Sequence, residues 1–219
     1  MVVGGYNNRI LNDIEMIDLE DPENSCTFQE DFPISVSEGM GQLTPNGLFY
    51  CGGYSSGSVS KRCFKFEQTK FVDAEFSLTK IRYLAASVLY EDSFVVIGGY
   101  SNHYLSDLEV VPENQAITFP NLTYAVYKSC AVVYKNDIIV TGGYRTSDKM
   151  QIISSSKVEV KSLKRARSSH GCITFRLKQK DILVLAGGVS EKSTEFVLLD
   201  NNMEIQEGKS SYLKIERIQ

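Results

Sequence analysis

Two adjacent glycines recur along this chain at 4/5, 52/53, 98/99, 142/143 and 187/188, at spacings of 48, 46, 44 and 45 residues. Each pair closes a short apolar run, and a polar loop and a second apolar run follow it. Residues 94–111 give the fullest copy, F-V-V-I-G-G-Y-S-N-H-Y-L-S-D-L-E-V-V. A period in the mid-forties with strand signals and no helical ones predicts an all-β fold of the β-propeller type. With 219 residues the chain holds about five copies and leaves no length for a second domain. The expectation is one domain over 1–219, with repeat units near 1–35, 36–78, 79–122, 123–164 and 165–209 and a tail at 210–219.

Within a unit the text reads as four antiparallel strands. The second unit gives G-M-G-Q-L, L-F-Y-C-G-G-Y, S-V-S-K-R-C-F-K-F-E and K-F-V-D-A-E-F; the third ends on Q-A-I-T-F-P. Each run alternates or is wholly apolar and is bounded by Gly, Ser, Asn or charge. First strands carry small residues (Ala85-Ala86-Ser87, Ser129-Cys130-Ala131, Gly171-Cys172), as expected where backbones converge. Second strands are apolar on both faces, as expected between two neighbours. The double glycine is expected to turn the chain with φ above zero at one position and to pass close to the adjacent unit. It is no phosphate cradle, because neither G-x-G-x-x-G nor G-K-[ST] is present and no helix follows.

Charge and cysteine usage narrow the function classes. A formal charge of −4 and a pI near 5.3 argue against nucleic acid as a partner. The dense basic run, Lys161 to Arg167, reads as a solvated turn between units. No apolar run approaches the length of a membrane span, and M-V-V-G-G-Y lacks the charged and apolar regions of a signal peptide. The five cysteines (Cys26, Cys51, Cys63, Cys130, Cys172) show no C-x-x-C spacing and read as reduced thiols, so a cytoplasmic location is expected.

A small-residue strand, an apolar strand ending in Gly-Gly-Tyr, a polar loop, and then N-D or S-D leading a third strand resembles the kelch repeat, across essentially the whole chain. Asn12-Asp13-Ile14-Glu15 and Ser106-Asp107-Leu108-Glu109 look like the kelch segment before the third strand, and Arg82, sixteen residues before Gly98, matches the kelch arginine entering the first strand. Two departures are evident. The chain has no tryptophan, so Phe28, Phe71 and Phe119 are expected on the outer strands, and Val189 replaces the tyrosine of the last copy. Because the first unit starts mid-repeat, the resemblance leaves two closures open. Either Ser210–Ile215 returns to complete the first unit, or the chain is an incomplete propeller, a piece of a larger ring.

The resemblance places recognition at one mouth of the propeller, where two loop families meet. The residues after the glycines are Tyr6, Tyr54, Tyr100 and Tyr144, with Asn8, Asn102 and Arg145; those entering the first strands are Ser37, Glu38, Tyr83, Tyr127, Lys128, Ser168 and Ser169. Phenols with amides and hydroxyls suit a protein or peptide partner. The resemblance implies a non-enzymatic binding module, either a substrate-recognition part of a cullin ubiquitin ligase or an actin-binding element. A copper-radical oxidase like galactose oxidase would need two histidines and two tyrosines on one metal. His103 and His170 read more simply as a loop histidine and a strand-end histidine bonded to backbone, so no cofactor or metal is expected. A kelch-type sugar epimerase and a serine or cysteine hydrolase lack a recognisable acid–base pair or G-x-S-x-G motif.

Overall fold

Each double-glycine repeat folds as one small antiparallel sheet. The computed structural model describes residues 1–17, 20–21, 26–27, 30–112, 116–189, 191–199 and 205–206, and it contains no helix among them. The first sheet is β1 (Val2–Tyr6), β2 (Ile10–Met16) and β3 (Cys26–Thr27). The second joins β4 (Met40–Thr44), β5 (Gly47–Cys51), β8 (Arg62–Glu67) and β9 (Lys70–Ser77), with the small hairpin β6 (Tyr54–Ser55) and β7 (Ser58–Val59) beside it. The third is β10 (Ala86–Tyr90), β11 (Ser93–Ile97) and β14 (Leu108–Val111), with the hairpin β12 (Tyr100–Ser101) and β13 (His103–Tyr104). The fourth is β15 (Cys130–Tyr134), β16 (Asp137–Thr141), β17 (Lys149–Ile153) and β18 (Val158–Ser162); the fifth is β19 (Gly171–Leu177), β20 (Lys180–Ala186), β21 (Thr194–Leu198) and β22 (Ile205–Gln206).

The sheets pack in sequence order, and their second strands explain why. Phe94 and Val96 of β11 bury against Met40, Phe49 and Cys51 of the second sheet, while Val95 and Ile97 bury against Ile138 and Val140 of the fourth. All four β11 side chains are fully buried, at roughly 1.5–3 kcal/mol each for burial of this kind. Equivalent clusters join the first sheet to the second (Ile14, Phe32, Tyr50, Phe64) and the fourth to the fifth (Ile139, Met150, Leu183, Leu185). First strands stand side by side, β4 beside β10, β10 beside β15 and β15 beside β19, so the small residues there serve close backbone approach as expected.

The glycines turn the chain and meet the next sheet as expected, with one addition in the backbone. Both members of every pair have positive φ. A Cβ on Gly4, Gly52, Gly98 or Gly142 would lie 2.1, 2.6, 2.5 or 2.2 Å from the backbone oxygen of Val36, Arg82, Val126 or Arg167, the residue entering the next sheet. On Gly187, in the last of the described sheets, the nearest such atom is Glu191 O at 3.9 Å. The motif is therefore a contact between successive sheets as well as a turn.

Several expectations are corrected. Four strands per unit hold for the second, fourth and fifth sheets; among the described residues the first shows three, as a unit that starts mid-repeat should, while the third shows three where four were expected. In the third unit Ile117 to Phe119 forms no strand, because Pro112 and Pro120 bracket the segment and supply no N–H for a ladder. Phe119 still packs edge-on to Tyr90, and Phe71 is buried against Phe32; Phe28 and the tail 210–219 lie outside the described residues. Arg167, read as part of a solvated turn, is fully buried.

The cysteines are the largest correction. Cys51 and Cys63 form a disulfide across directly opposed positions of β5 and β8, and Cys130 and Cys172 form a second one joining β15 to β19, hence the fourth sheet to the fifth. Sequence separations of 12 and 42 residues carry no local signal, because strand pairing in one case and sheet packing in the other bring the sulfurs together. Reduced thiols no longer support the cytoplasmic expectation. Among the described residues, no helix is long and apolar enough to cross a membrane.

Candidate functional site

The two loop families identified in the sequence are hydrogen-bonded to one another. Tyr54 N donates to Ser37 O and Ser37 N to Tyr54 O, at 2.8 and 3.0 Å; Tyr100 and Tyr83 repeat the exchange at 2.9 and 3.2 Å. Tyr144 N donates to Tyr127 O at 2.9 Å, and Val189 N to Ser168 O at 2.8 Å. From the second sheet to the fifth, the residue after the glycine pair is thereby fixed to the residue entering the first strand of its own sheet.

A second set of bonds runs from sheet to sheet. Leu84 N donates to Glu38 O, Lys128 N to Leu84 O and Ser169 N to Lys128 O, at 2.9, 2.9 and 2.8 Å. Glu38, Leu84, Lys128 and Ser169 all sit at positive φ, between 50° and 59°. Four non-glycine residues in that sparsely populated region, one in each sheet from the second to the fifth, mark a backbone conformation that the packing of the sheets imposes.

On this frame the tyrosine rings form a continuous array. Centroid separations are 5.9 Å for Tyr54–Tyr83, 5.7 Å for Tyr83–Tyr100, 5.8 Å for Tyr100–Tyr127 and 5.2 Å for Tyr127–Tyr144. These lie within the range at which aromatic pairs attract. A ring not foreseen, Tyr104, stacks on Tyr127 at 5.2 Å with only 14° between planes and meets Tyr100 edge-on at 5.4 Å. It arrives because β12 and β13 pair Tyr100 with Tyr104 around Asn102, whose φ is 56°. An Asn flanked by tyrosines two residues to either side was the available signal.

Charge decorates the array on both signs. The Arg145 guanidinium lies 5.2 Å from the Tyr104 ring centre and the Lys128 ammonium 6.0 Å from that of Tyr127, distances at which a cation is drawn to a ring face. Burial and then the Glu38 charge push the Tyr83 phenol up from its ordinary value; burial and the neighbouring phenols do the same to Tyr127. These two hydroxyls stay protonated and available as donors at neutral pH. Tyr144 and Arg145 are exposed, and Tyr54, Tyr83, Tyr100, Tyr104, Tyr127 and Lys128 are half-buried, so the array is packed within itself yet still open to solvent in part.

Other expected site residues stand apart. Tyr6 is 73% exposed and makes no ring contact among the described residues. Asn8 shares the positive φ of Asn102 and Arg145, at 56°, 56° and 67°, but it sits in the first sheet's loop beside Tyr6. Ser168 and Ser169 belong to the backbone frame but have no tyrosine beyond them, since Val189 follows the last glycine pair.

The histidines occupy unlike surroundings. His103 is exposed in the β12–β13 hairpin. His170 is buried with Nε2 2.9 Å from Thr141 Oγ1, a side-chain partner in place of the expected backbone one. Burial, then the nearby Arg167 charge, lowers its pKa to about 4, so it is neutral at physiological pH. Among the described residues, no group of three or more His, Cys, Asp or Glu could hold a metal ion. Compared with known protein families and with curated proteins, the sequence matches none.

Proposed function

We propose that the chain is a kelch-like β-propeller, whole or part, and that it works as a non-enzymatic binding module taking a protein or peptide partner on the tyrosine array. The observation that carries this reading is the contiguous run Tyr54, Tyr83, Tyr100, Tyr104, Tyr127 and Tyr144, drawn from loops of three successive sheets and locked by backbone hydrogen bonds. Tyrosine gives large, rigid contact area at low entropic cost, and here the rings are held before any ligand arrives, so binding pays little for ordering them. Arg145, Lys128 and Glu38 at the margins provide polar contacts of both signs. The propeller reading is supported by five sheets packed in sequence order through apolar second strands, with first strands side by side.

The test is selection of peptides from a displayed library, followed by affinity measurement on wild type and on single Tyr104→Ala and Tyr144→Ala variants whose circular dichroism is unchanged. A hot-spot role predicts a loss of at least about 2 kcal/mol, roughly thirtyfold in Kd, for Tyr104→Ala. If no peptide is selected, or affinity ignores both substitutions, the rings are packing groups and the reading fails.

A further inference from the structure

The third sheet stops one strand short of its neighbours. In the other four sheets the strand in the place of β14 pairs onward, β2 with β3, β8 with β9, β17 with β18 and β21 with β22, whereas β14 ends its sheet among the described residues. Gly98 N donates to Asp107 O as Gly142 N donates to Lys149 O, so Asp107 and Glu109 stand where the fourth sheet has Lys149 and Gln151. Asp107, Glu109 and Val111 therefore turn their backbone groups toward β11, and Leu108 and Val110 turn theirs outward. Their counterparts Met150 and Ile152 face β18. Among the described residues, the outward N–H and C=O of Leu108 and Val110 have no partner.

The chain comes back to this edge at one point only. Leu122 N donates to Ser106 O at 2.8 Å, as Leu163 N donates to Asp148 O at 2.7 Å. That register would set Pro120 opposite Leu108, where the fourth sheet sets Lys161 opposite Met150. Proline has no N–H for Leu108 O, and the segment leaves the edge there. A groove of about 590 Å³ is left along β14, with Phe76 on the face toward the second sheet and Ile117 and Phe119 on the other. The carboxylates in its wall are already engaged: Asp107 by Arg82 and Lys80, Glu109 by Arg82 and the Thr79 N–H. Lys80 keeps donors to spare. Its ammonium makes one bond, to Asp107 at 3.2 Å, and its side chain is 52% exposed.

We propose that this groove is a second binding site, and that its occupant is the carboxyl-terminal strand of a partner protein, added to β14 as a fourth strand with its terminal carboxylate at Lys80. Unpaired edge groups give such a strand its main-chain bonds. The direction follows from two observations. The outer strands of the second, fourth and fifth sheets all run antiparallel to their neighbours, so an occupant of the same kind passes Val111 first and Leu108 last. Its carboxyl end then arrives beside Asp107, where Lys80 stands. It also has to end there, because Leu122 already holds Ser106 O. A parallel strand would bring an N–H or an ammonium to Lys80 instead of a carboxylate. None of the groove residues belongs to the tyrosine array, so the two sites are independent.

The test offers the full chain random heptapeptides displayed with free carboxyl termini, and the selected sequences are then synthesised as free acids and as amides. The acid is expected to bind about tenfold more tightly than the amide, and Lys80→Gln to remove that difference. N-methylation of the third residue from the carboxyl end, whose N–H would meet Val110 O, weakens binding about tenfold, while N-methylation of the second leaves it unchanged. The amides of Leu108 and Val110 exchange faster than those of Met150 and Ile152 in the free chain and slow on peptide binding. Tyr104→Ala leaves the affinity as it was. Selection of no peptide, equal binding of acid and amide, or exchange at Leu108 and Val110 that the peptide does not slow overturns the proposal. Peptides that lose affinity in Tyr104→Ala and keep it in Lys80→Gln also overturn it, and leave the tyrosine array standing.

Discussion

Replacing Arg82 by valine isolates what the buried arginines do. Arg82 is fully buried, donates to Gly98 O, Asp107 and Glu109, and the two carboxylates are only 21% and 10% exposed. Valine itself fits, because Val126 occupies the equivalent position in the fourth sheet. The cost is therefore that of leaving Asp107 to Lys80 alone, Glu109 to the Thr79 N–H alone and Gly98 O unbonded, about 3 kcal/mol, the low end for a broken buried pair. With a urea slope of roughly 2–3 kcal/mol/M, the midpoint falls by about 1–2 M. Far-UV circular dichroism is the assay, since the chain has no tryptophan. Adding Asp107→Lys and Glu109→Gln copies the fourth sheet's arrangement around Val126 and is expected to restore most of the loss. An unchanged midpoint in Arg82→Val, or a triple variant no more stable than the single one, would refute the argument.

Four further outcomes are expected. Thiol titration of the unreduced, denatured chain finds no more than one free thiol of five cysteines, the four of the two disulfides being silent; a count of five would remove the cross-links. Reducing the Cys130–Cys172 bridge lowers stability by up to about 4 kcal/mol, the loop-closure value for its 42-residue span, and by less if the reduced state keeps residual structure. His170, neutral when folded with a pKa near 4 against 6.5 when exposed, contributes stability that is complete above pH 6.5 and is lost as pH falls toward 4. His170→Gln should flatten urea midpoints across that window, and an unchanged slope would show the histidine is not responsible. Finally, Gly98→Ala, whose Cβ would meet Val126 O at 2.5 Å, should lower the thermal midpoint far more than Gly187→Ala, whose Cβ has 3.9 Å of clearance; φ near +60° and +68° strains both alike, so equal losses would show that φ alone dominates.

The extent to which this fold was legible follows from where each signal resides. The repeat period, the apolar second strands and the small first-strand residues are properties of one sheet seen along the chain, and the sequence displays them at every copy. That the loops of Tyr54 and Ser37, and of Tyr100 and Tyr83, lie together was implied by the family resemblance, whereas the backbone exchange that joins them shows only in the folded sheet. Cys130 and Cys172 were not, because their contact depends on how the fourth sheet lies on the fifth. Tyr104 was missed for a subtler cause: it falls outside the repeat register, brought in by a tight hairpin that, among the described residues, only the third unit has in that form. Arg167 shows the limit in a single residue. Sequence neighbours Lys164 and Arg165 are exposed as a basic turn should be, yet Glu195, 28 residues on, draws the last cation of the run into the core. Charge runs read locally give the solvated face, and only the partner across the sheet reveals which member is buried.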